Sequence, residues 1–155
     1  MSADWRIERR GASDASVQAM VVAYIDELLG GVLPGFDPEQ AAPPSPDDFE
    51  WPNGSFLLVF AGEEPIACGA LRRLSEGVGE LRRMWVTPTW RGRHVGRYLL
   101  DALEDLAQEM QMSELRLDTN RGLRPAEELY RSAGYREVPR YNDNGFADIW
   151  FAKRL

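Results

Sequence analysis

The 155-residue sequence holds one cysteine, Cys68, and one lysine, Lys153. A lone cysteine cannot close an internal disulfide and cannot supply a cysteine metal cluster. Cys68 sits in an apolar segment with no histidine near it in sequence, so it reads as a buried, inert thiol rather than a nucleophile. No apolar run approaches membrane-spanning length. The opening "MSADWRIERR" lacks the apolar centre of a signal peptide. Together these point to a cytoplasmic protein without a membrane partner. The net charge of −7 disfavours nucleic acid. Internal repeats, linkers and low-complexity segments are missing. The near-complete use of arginine for positive charge is a bias that a GC-rich bacterial genome produces without functional cause.

What is present is 44% hydrophobic residues on a length suited to one domain, residues 1–155. Trp5 to Gly11 reads as a strand. Ser13 or Asp14 caps a helix whose apolar positions Val17, Met20, Val21, Tyr24, Ile25, Leu28 and Leu29 form one face, stopped at Gly30-Gly31. A long loop rich in proline and acids follows. Ser55–Ala61 and Pro65–Leu74 form a hairpin, and Gly79–Val86 a further strand. A helix from Gly96 to Met110 leads to a strand at Ser113–Thr119. Pro125 and Gly134 bracket a short helix. "YREV" and the segment from Phe146 end the chain as strands. The strand-helix-strand unit of Gly79–Asp118 predicts a parallel pair. The fold class is α/β (α+β): one mixed sheet of six to seven strands with helices on both faces. Period two predicts that Glu80, Arg82, Met84 and Val86 share a face.

The stretch "VTPTWRGRHVGRYLLDALEDLA" raises the functional question. Gly92 and Gly96 frame the turn that opens a helix, and Arg91, Arg93, His94 and Arg97 crowd it. Free N–H groups at a helix start attract anions, and glycine admits a phosphate to the backbone. Arginines add charge-assisted hydrogen bonds. A plain turn with solvated arginines has the same composition. The Walker pattern fails at Arg97-Tyr98, and the dinucleotide fingerprint G-x-G-x-x-G is absent.

With Val86-Thr87-Pro88 before it, Arg91-Gly92-Arg93-His94-Val95-Gly96 resembles the signature loop of the GNAT superfamily, the acetyl-CoA-dependent N-acetyltransferases. Downstream, "AEELYRSAGYREV" resembles the superfamily's Ala-x-x-x-Tyr segment ending in Gly-Tyr. The likeness covers most of the chain and is strongest from Gly79 to Tyr135. It departs at His94, usually a glycine, where a positive φ would cost roughly 1–2 kcal/mol. It departs again at Leu123, where an asparagine is usual; Asn120 is the nearby substitute for a cofactor contact.

The resemblance implies direct acetyl transfer from acetyl-CoA to an amine, with no metal. It implies a splayed parallel strand pair, main-chain cofactor contacts from Met84, Trp85 and Val86, and a pyrophosphate site on residues 91 to 98: Arg91, Gly92, Arg93, His94, Val95, Gly96, Arg97 and Tyr98. The Val86 N–H becomes the thioester-oxygen donor. Glu80 becomes the candidate base and Tyr130 the candidate acid for the thiolate. The bland alternatives are a glutamate paired with Arg82 or Arg83, and a packing tyrosine. The acceptor is expected between the first helix, the acidic loop (Asp37, Glu39, Asp47, Asp48, Glu50, with Phe36, Phe49 and Trp51) and the last hairpin (Tyr141, Asn142, Asp143, Asn144). Acids and aromatics would suit a cationic amine, as they would a solvated loop. The expected reaction is N-acetylation of a small amine by a monomer or homodimer. Protein N-acetylation and a CoA-binding sensor module are the alternatives. The arginine pairs Arg72-Arg73 and Arg82-Arg83 give weak support for nucleic acid.

Overall fold

Long apolar stretches in mid-chain and charged, alternating segments near the ends sort themselves into central and peripheral strands. The structure, a computed structural model, describes residues 4–37 and 45–155. Strands β1 (Trp5–Arg10), β2 (Gly54–Ala61), β3 (Glu64–Ser75), β4 (Val78–Val86), β5 (Glu114–Thr119), β6 (Arg136–Val138) and β7 (Ile149–Arg154) form one sheet. Their order is β1-β2-β3-β4-β5-β7-β6. Every neighbouring pair is antiparallel except β4 and β5, which are parallel and joined through helix α2 (Val95–Glu109). The mixed sheet expected from sequence is therefore present. β7 starts at Ile149 rather than Phe146. Asn144 draws the preceding residues into a turn, its side chain accepting from the Phe146 N–H at 3.1 Å and its carbonyl from the Ala147 N–H at 3.2 Å.

Helix α1 (Ala15–Glu27) begins at Asp14, whose carboxylate accepts the Ser16 and Val17 N–H groups. Val17 and Met20 bury against Phe56, Leu58, Phe60, Cys68, Ala70 and Trp85 on one sheet face. On the other face Leu99, Leu100, Leu103 and Leu106 of α2 meet Leu57, Leu71, Leu81, Leu115 and Leu117. Helix α3 (Arg124–Ser132) joins this second core through Tyr130. Ala15–Val32 spans 18 residues of mean hydropathy 1.3, long and apolar enough to cross a membrane by composition. This corrects the expectation that no run approaches that length. Here Val17, Met20 and Leu28 hold the segment on the sheet side of the fold.

One expectation fails for a definite reason. Ala70 pairs with Arg82 and Cys68 with Trp85, so Arg83 and Met84 together face Gly69 alone. This is a β-bulge, with Arg83 in the left-handed region at φ 58°. The extra residue resets the alternation. Arg82 shares a face with Ala70, as does Trp85 with Cys68, whereas Met84 and Val86 pack with Leu81 on the α2 side. Glu80 and Arg82 therefore do not share a face with Met84 and Val86. Gly69 makes room for the bulge: a Cβ there would lie 2.8 Å from Met84 Sδ and 2.9 Å from Leu103 Cδ1.

Beyond the bulge two local features shape one end of the sheet. The parallel ladder runs only through Val78↔Glu114, Gly79↔Leu115 and Glu80↔Arg116, after which β4 and β5 part. Helix α2 starts directly after His94, which takes φ 66° and offers no side-chain cap. A left-handed non-glycine residue is strained because its Cβ crowds the carbonyl. His94→Gly should therefore stabilise the fold by about 0.5–1 kcal/mol, allowing for the entropy that glycine adds to the unfolded chain. Urea unfolding of the two proteins measures this; a loss of stability would mean that the imidazole makes a compensating interaction.

Candidate active site

The parting of β4 and β5 opens a cavity of about 880 Å³. Its walls come from the end of α1 and the residues after it, β4 from Leu81 to Val86, the turn into α2, the end of β5 with the segment running into α3, and the loop between β6 and β7. Thr87 N–H donates to the Ile66 carbonyl on β3 at 2.9 Å. Since N–H groups alternate sides along a strand, the Val86 N–H turns the other way, into the gap. The Val86 carbonyl is met there by Arg91 Nε at 3.0 Å.

At the turn, the first bond inside α2 runs from Tyr98 N–H to the His94 carbonyl at 3.1 Å. The N–H groups of Val95, Gly96 and Arg97 precede it and have no side-chain cap. They sit at the positive end of a 15-residue helix. Gly96 also permits close approach of α3, since a Cβ there would stand 3.2 Å from Leu129 Cδ2. Next to Leu129, Tyr130 is 5% exposed, with its ring edge-on to Tyr135 at 5.8 Å. Burial pushes its phenol pKa up. The ring belongs to the core, yet the residue borders the cavity and its hydroxyl has no hydrogen-bond partner among the described residues.

Arg91 is bound to Glu27, its NH2 group donating to the two carboxylate oxygens at 2.8 and 2.9 Å. Trp85 Nε1 donates to the same carboxylate at 3.1 Å. Burial alone would raise the Glu27 pKa, but the bonds from Arg91 and Trp85 outweigh it and hold the carboxyl below its ordinary value. The turn into α2 and the end of α1, both part of the cavity wall, are thus tied together.

Glu80 is fully buried. Arg72 Nε donates to Oε1 at 2.9 Å, the Tyr141 hydroxyl to Oε2 at 2.7 Å and Asn142 Nδ2 to Oε2 at 3.5 Å, with Arg82 3.7 Å away. A buried carboxylate survives only with such pairing. Both oxygens are engaged, and Glu80 is not part of the cavity wall. Three carboxylates do border the cavity, Glu27, Glu128 and Asp118; Asp118 lies 3.5 Å from Arg82 and is hydrogen-bonded by Asn142 and by Asn144 at 3.0 Å. The network fixes the β6–β7 loop, with Trp150 Nε1 donating to Asn142 Oδ1 at 2.9 Å.

Of the residues singled out by sequence, Met84, Trp85, Val86, Arg91, Gly92, His94, Val95, Gly96, Arg97, Asn120 and Tyr130 border one cavity. Glu80, Arg93 and Tyr98 do not. Arg93 lies over Trp90 at 4.8 Å, and Tyr98 packs edge-on against Trp5 at 5.4 Å. Asn120 spends its side chain on the loop, donating to the Phe146 carbonyl and accepting the Gly122 N–H. Cys68 is buried, which pushes its thiol up to about 12 and leaves it inert. Two acids of the long loop serve structure: Asp48 pairs with Arg72, and Glu50 accepts the Ala12 N–H. Phe49 is core, and Glu39 lies outside the described residues. Phe36 meets Phe146 edge-on at 5.1 Å across the acceptor end.

Sequence reasoning missed Tyr24, Glu27, Arg83 and Asp118. A signal for Asp118 existed. The alternation Glu114, Arg116, Asp118 lies on a central parallel strand, where a continuous apolar run is the rule.

The profile of the "Acetyltransferase (GNAT) family" matches residues 13–135. The chain is 34% identical over 128 residues to an "IAA acetyltransferase" of Azospirillum brasilense, covering 80% of this chain and 82% of that one. Its fold is similar to that of a GNAT-family acetyltransferase from Staphylococcus aureus Mu50, with TM-score 0.82, 18% identity and coverage of 97% and 99%. It is also similar to that of a GNAT-family acetyltransferase from Elizabethkingia anophelis crystallised with acetyl-CoA bound, with TM-score 0.68, 16% identity and coverage of 99% and 100%. With the splayed strands, the uncapped helix start and the family profile in agreement, the chain belongs to the acetyltransferase (GNAT) family of acyl-CoA-dependent N-acetyltransferases.

Proposed function

We infer that the protein transfers an acetyl group from acetyl-CoA to the amine of a small molecule. The observation that carries this reading is the convergence of three kinds of unspent donor on one cavity: the amides of Val95, Gly96 and Arg97, the Val86 N–H, and the Tyr130 hydroxyl. Their chemistry fits the cosubstrate in order along its length. Helix-start amides with Arg97 beside them suit a pyrophosphate. A strand with free main-chain groups suits the pantetheine amides. A lone N–H and a lone hydroxyl suit a thioester.

Bound there, acetyl-CoA supplies a thioester carbon open to attack by a neutral amine and a thiolate as leaving group. The chain's part is electrostatic and protonic. The Val86 N–H stabilises charge gathering on the thioester oxygen. The Tyr130 hydroxyl stays protonated and donates to the departing sulfur. Asp118, facing the cavity from β5, draws the ammonium form of the acceptor and takes its proton directly or through water. Glu80 acts as a positioning residue, holding Tyr141 and Asn142 and through them the loop that bears Asn144 and Phe146. The edge-on contact of Phe36 with Phe146 supports a small acceptor over a protein chain, because it narrows the acceptor end.

Tyr130→Phe keeps the ring and the core. Its turnover should fall roughly ten- to a hundred-fold, at or below the low end of general-acid effects, because a thiolate with a pKa near ~8.5 already leaves readily. Acetyl-CoA affinity by calorimetry should be unchanged; full turnover would return Tyr130 to packing alone.

The two carboxylates are separated by their variants. Glu80→Gln should cost about 3 kcal/mol of stability by removing the buried partner of Arg72, yet leave kcat of the folded enzyme near that of the wild type. Asp118→Asn should lower kcat by roughly a hundred-fold, with acetyl-CoA affinity by calorimetry unchanged. The reverse pattern would make Glu80 the base.

A further inference from the structure

Four arginines border the cavity: Arg82, Arg83, Arg91 and Arg97. Arg82 has Glu80 and Asp118, Arg91 has Glu27, and Arg97 has Asp101. Arg83 has no carboxylate within ion-pair distance among the described residues, and its guanidinium donates to nothing there. It is half-buried. Burial and the adjacent Arg82 charge push its pKa down, so the site disfavours a cation that it nevertheless holds.

The backbone adds a second, independent observation. Arg83 occupies the bulge at φ 58°, a conformation in which a side chain costs energy and glycine does not. The chain therefore keeps a strained arginine where the fold alone would be better served by glycine. Strained residues of this kind cluster at functional sites, and this one borders the cavity. The bulge also sets where that side chain acts. Arg83 is close enough to Tyr24 and Cys68, on the α1 side of the sheet, to interact with both electrostatically. Val95, Gly96 and Arg97 stand on α2, which covers the opposite face. Arg83 thus belongs to the acceptor half of the cavity rather than to the phosphate turn.

We propose that Arg83 binds a carboxylate of the acceptor, and that the acceptor is an α-amino acid with an apolar or aromatic side chain. The inference rests on the N-acetyltransferase reading above. One uncompensated positive charge calls for a monoanion, and the planar guanidinium fork matches a carboxylate. Asp118 and Glu27 border the same cavity and suit the ammonium group beside that carboxylate. Leu28, Leu33, Phe36 and Phe146 are among the apolar residues of the wall. In the transfer the amine nitrogen forms a bond to the acetyl carbon and the carbon–sulfur bond breaks. The ammonium loses one proton to Asp118 or water before attack; the second leaves the nitrogen as the amide forms and, relayed through the Tyr130 hydroxyl, ends on the sulfur, so the products are an N-acetyl amino acid, free CoA thiol and one released proton.

The test measures thiol release with acetyl-CoA and a panel of leucine, methionine, phenylalanine and tryptophan, each beside its own carboxamide. The carboxamide keeps the amine and side chain and removes only the anionic charge. At least one acid should outrun its amide by roughly 10- to 100-fold in kcat/KM, the size of a charge-assisted bond. Arg83→Met should abolish that preference by raising KM for the acid far more than for its amide. Arg83→Lys should restore part of it. Calorimetry with acetyl-CoA verifies that each variant is folded. Amides that match their acids in the wild type would overturn the proposal. So would an Arg83→Met variant that keeps the preference, or a wild type that binds acetyl-CoA and turns over no acid in the panel. A wild type that fails to bind acetyl-CoA would overturn the acetyltransferase reading itself, and this proposal with it.

Discussion

The site depends on one interruption of the sheet. Two parallel strands share a ladder as far as Glu80 and Arg116 and then separate. Backbone donors and acceptors beyond that point need other partners, because buried peptide groups cannot go unpaired without cost. The bulge at Arg83 is the local cause: an extra residue opposite Gly69 bends and twists β4. Its consequence is a gap whose walls carry unspent main-chain groups, between two cores that hold the rest of the sheet fixed.

The two faces of that gap are chemically different. On the α2 side the wall is largely apolar, with the bare amides at the start of α2 and the Tyr130 hydroxyl on α3. On the α1 side β4 and β5 carry Glu80, Arg82 and Asp118, knitted to Tyr141, Asn142 and Asn144. So many buried charges are tolerated because nearly every one is paired, and pairing rigidifies the loop that bounds the acceptor end. Arg83 is the exception in that balance. The Arg91–Glu27 bond joins the two sides, so the turn into α2 and the end of α1 are held at a set distance.

Much of this was legible in the sequence. Periodicity and glycine placement gave the element order, the parallel pair and the helix start at Gly92–Gly96. Hydrophobic pattern located α1 and α2 because their faces bury against apolar strands. What sequence could not give was the break in alternation. Period two assumes an unbroken ladder, and nothing in "GELRRMWV" announces that Arg83 takes a left-handed φ. Unbroken alternation put Glu80 and Arg82 on the face of Met84 and Val86, which the bulge separates. Asp118 escaped notice because its partners Asn142 and Asn144 lie some twenty-five residues away and meet it only through the pairing of β5 with β7.

The central claim is that the uncapped amides of α2 and the free N–H of Val86 hold the cosubstrate. Titrating ¹⁵N-labelled protein with CoA, and following each backbone amide by NMR, tests it most directly. The largest shifts are expected at Val95, Gly96, Arg97 and Val86, with the far strand β1 and the β2–β3 turn unmoved. Shifts confined to other surfaces, or no shifts at saturating CoA, would contradict it.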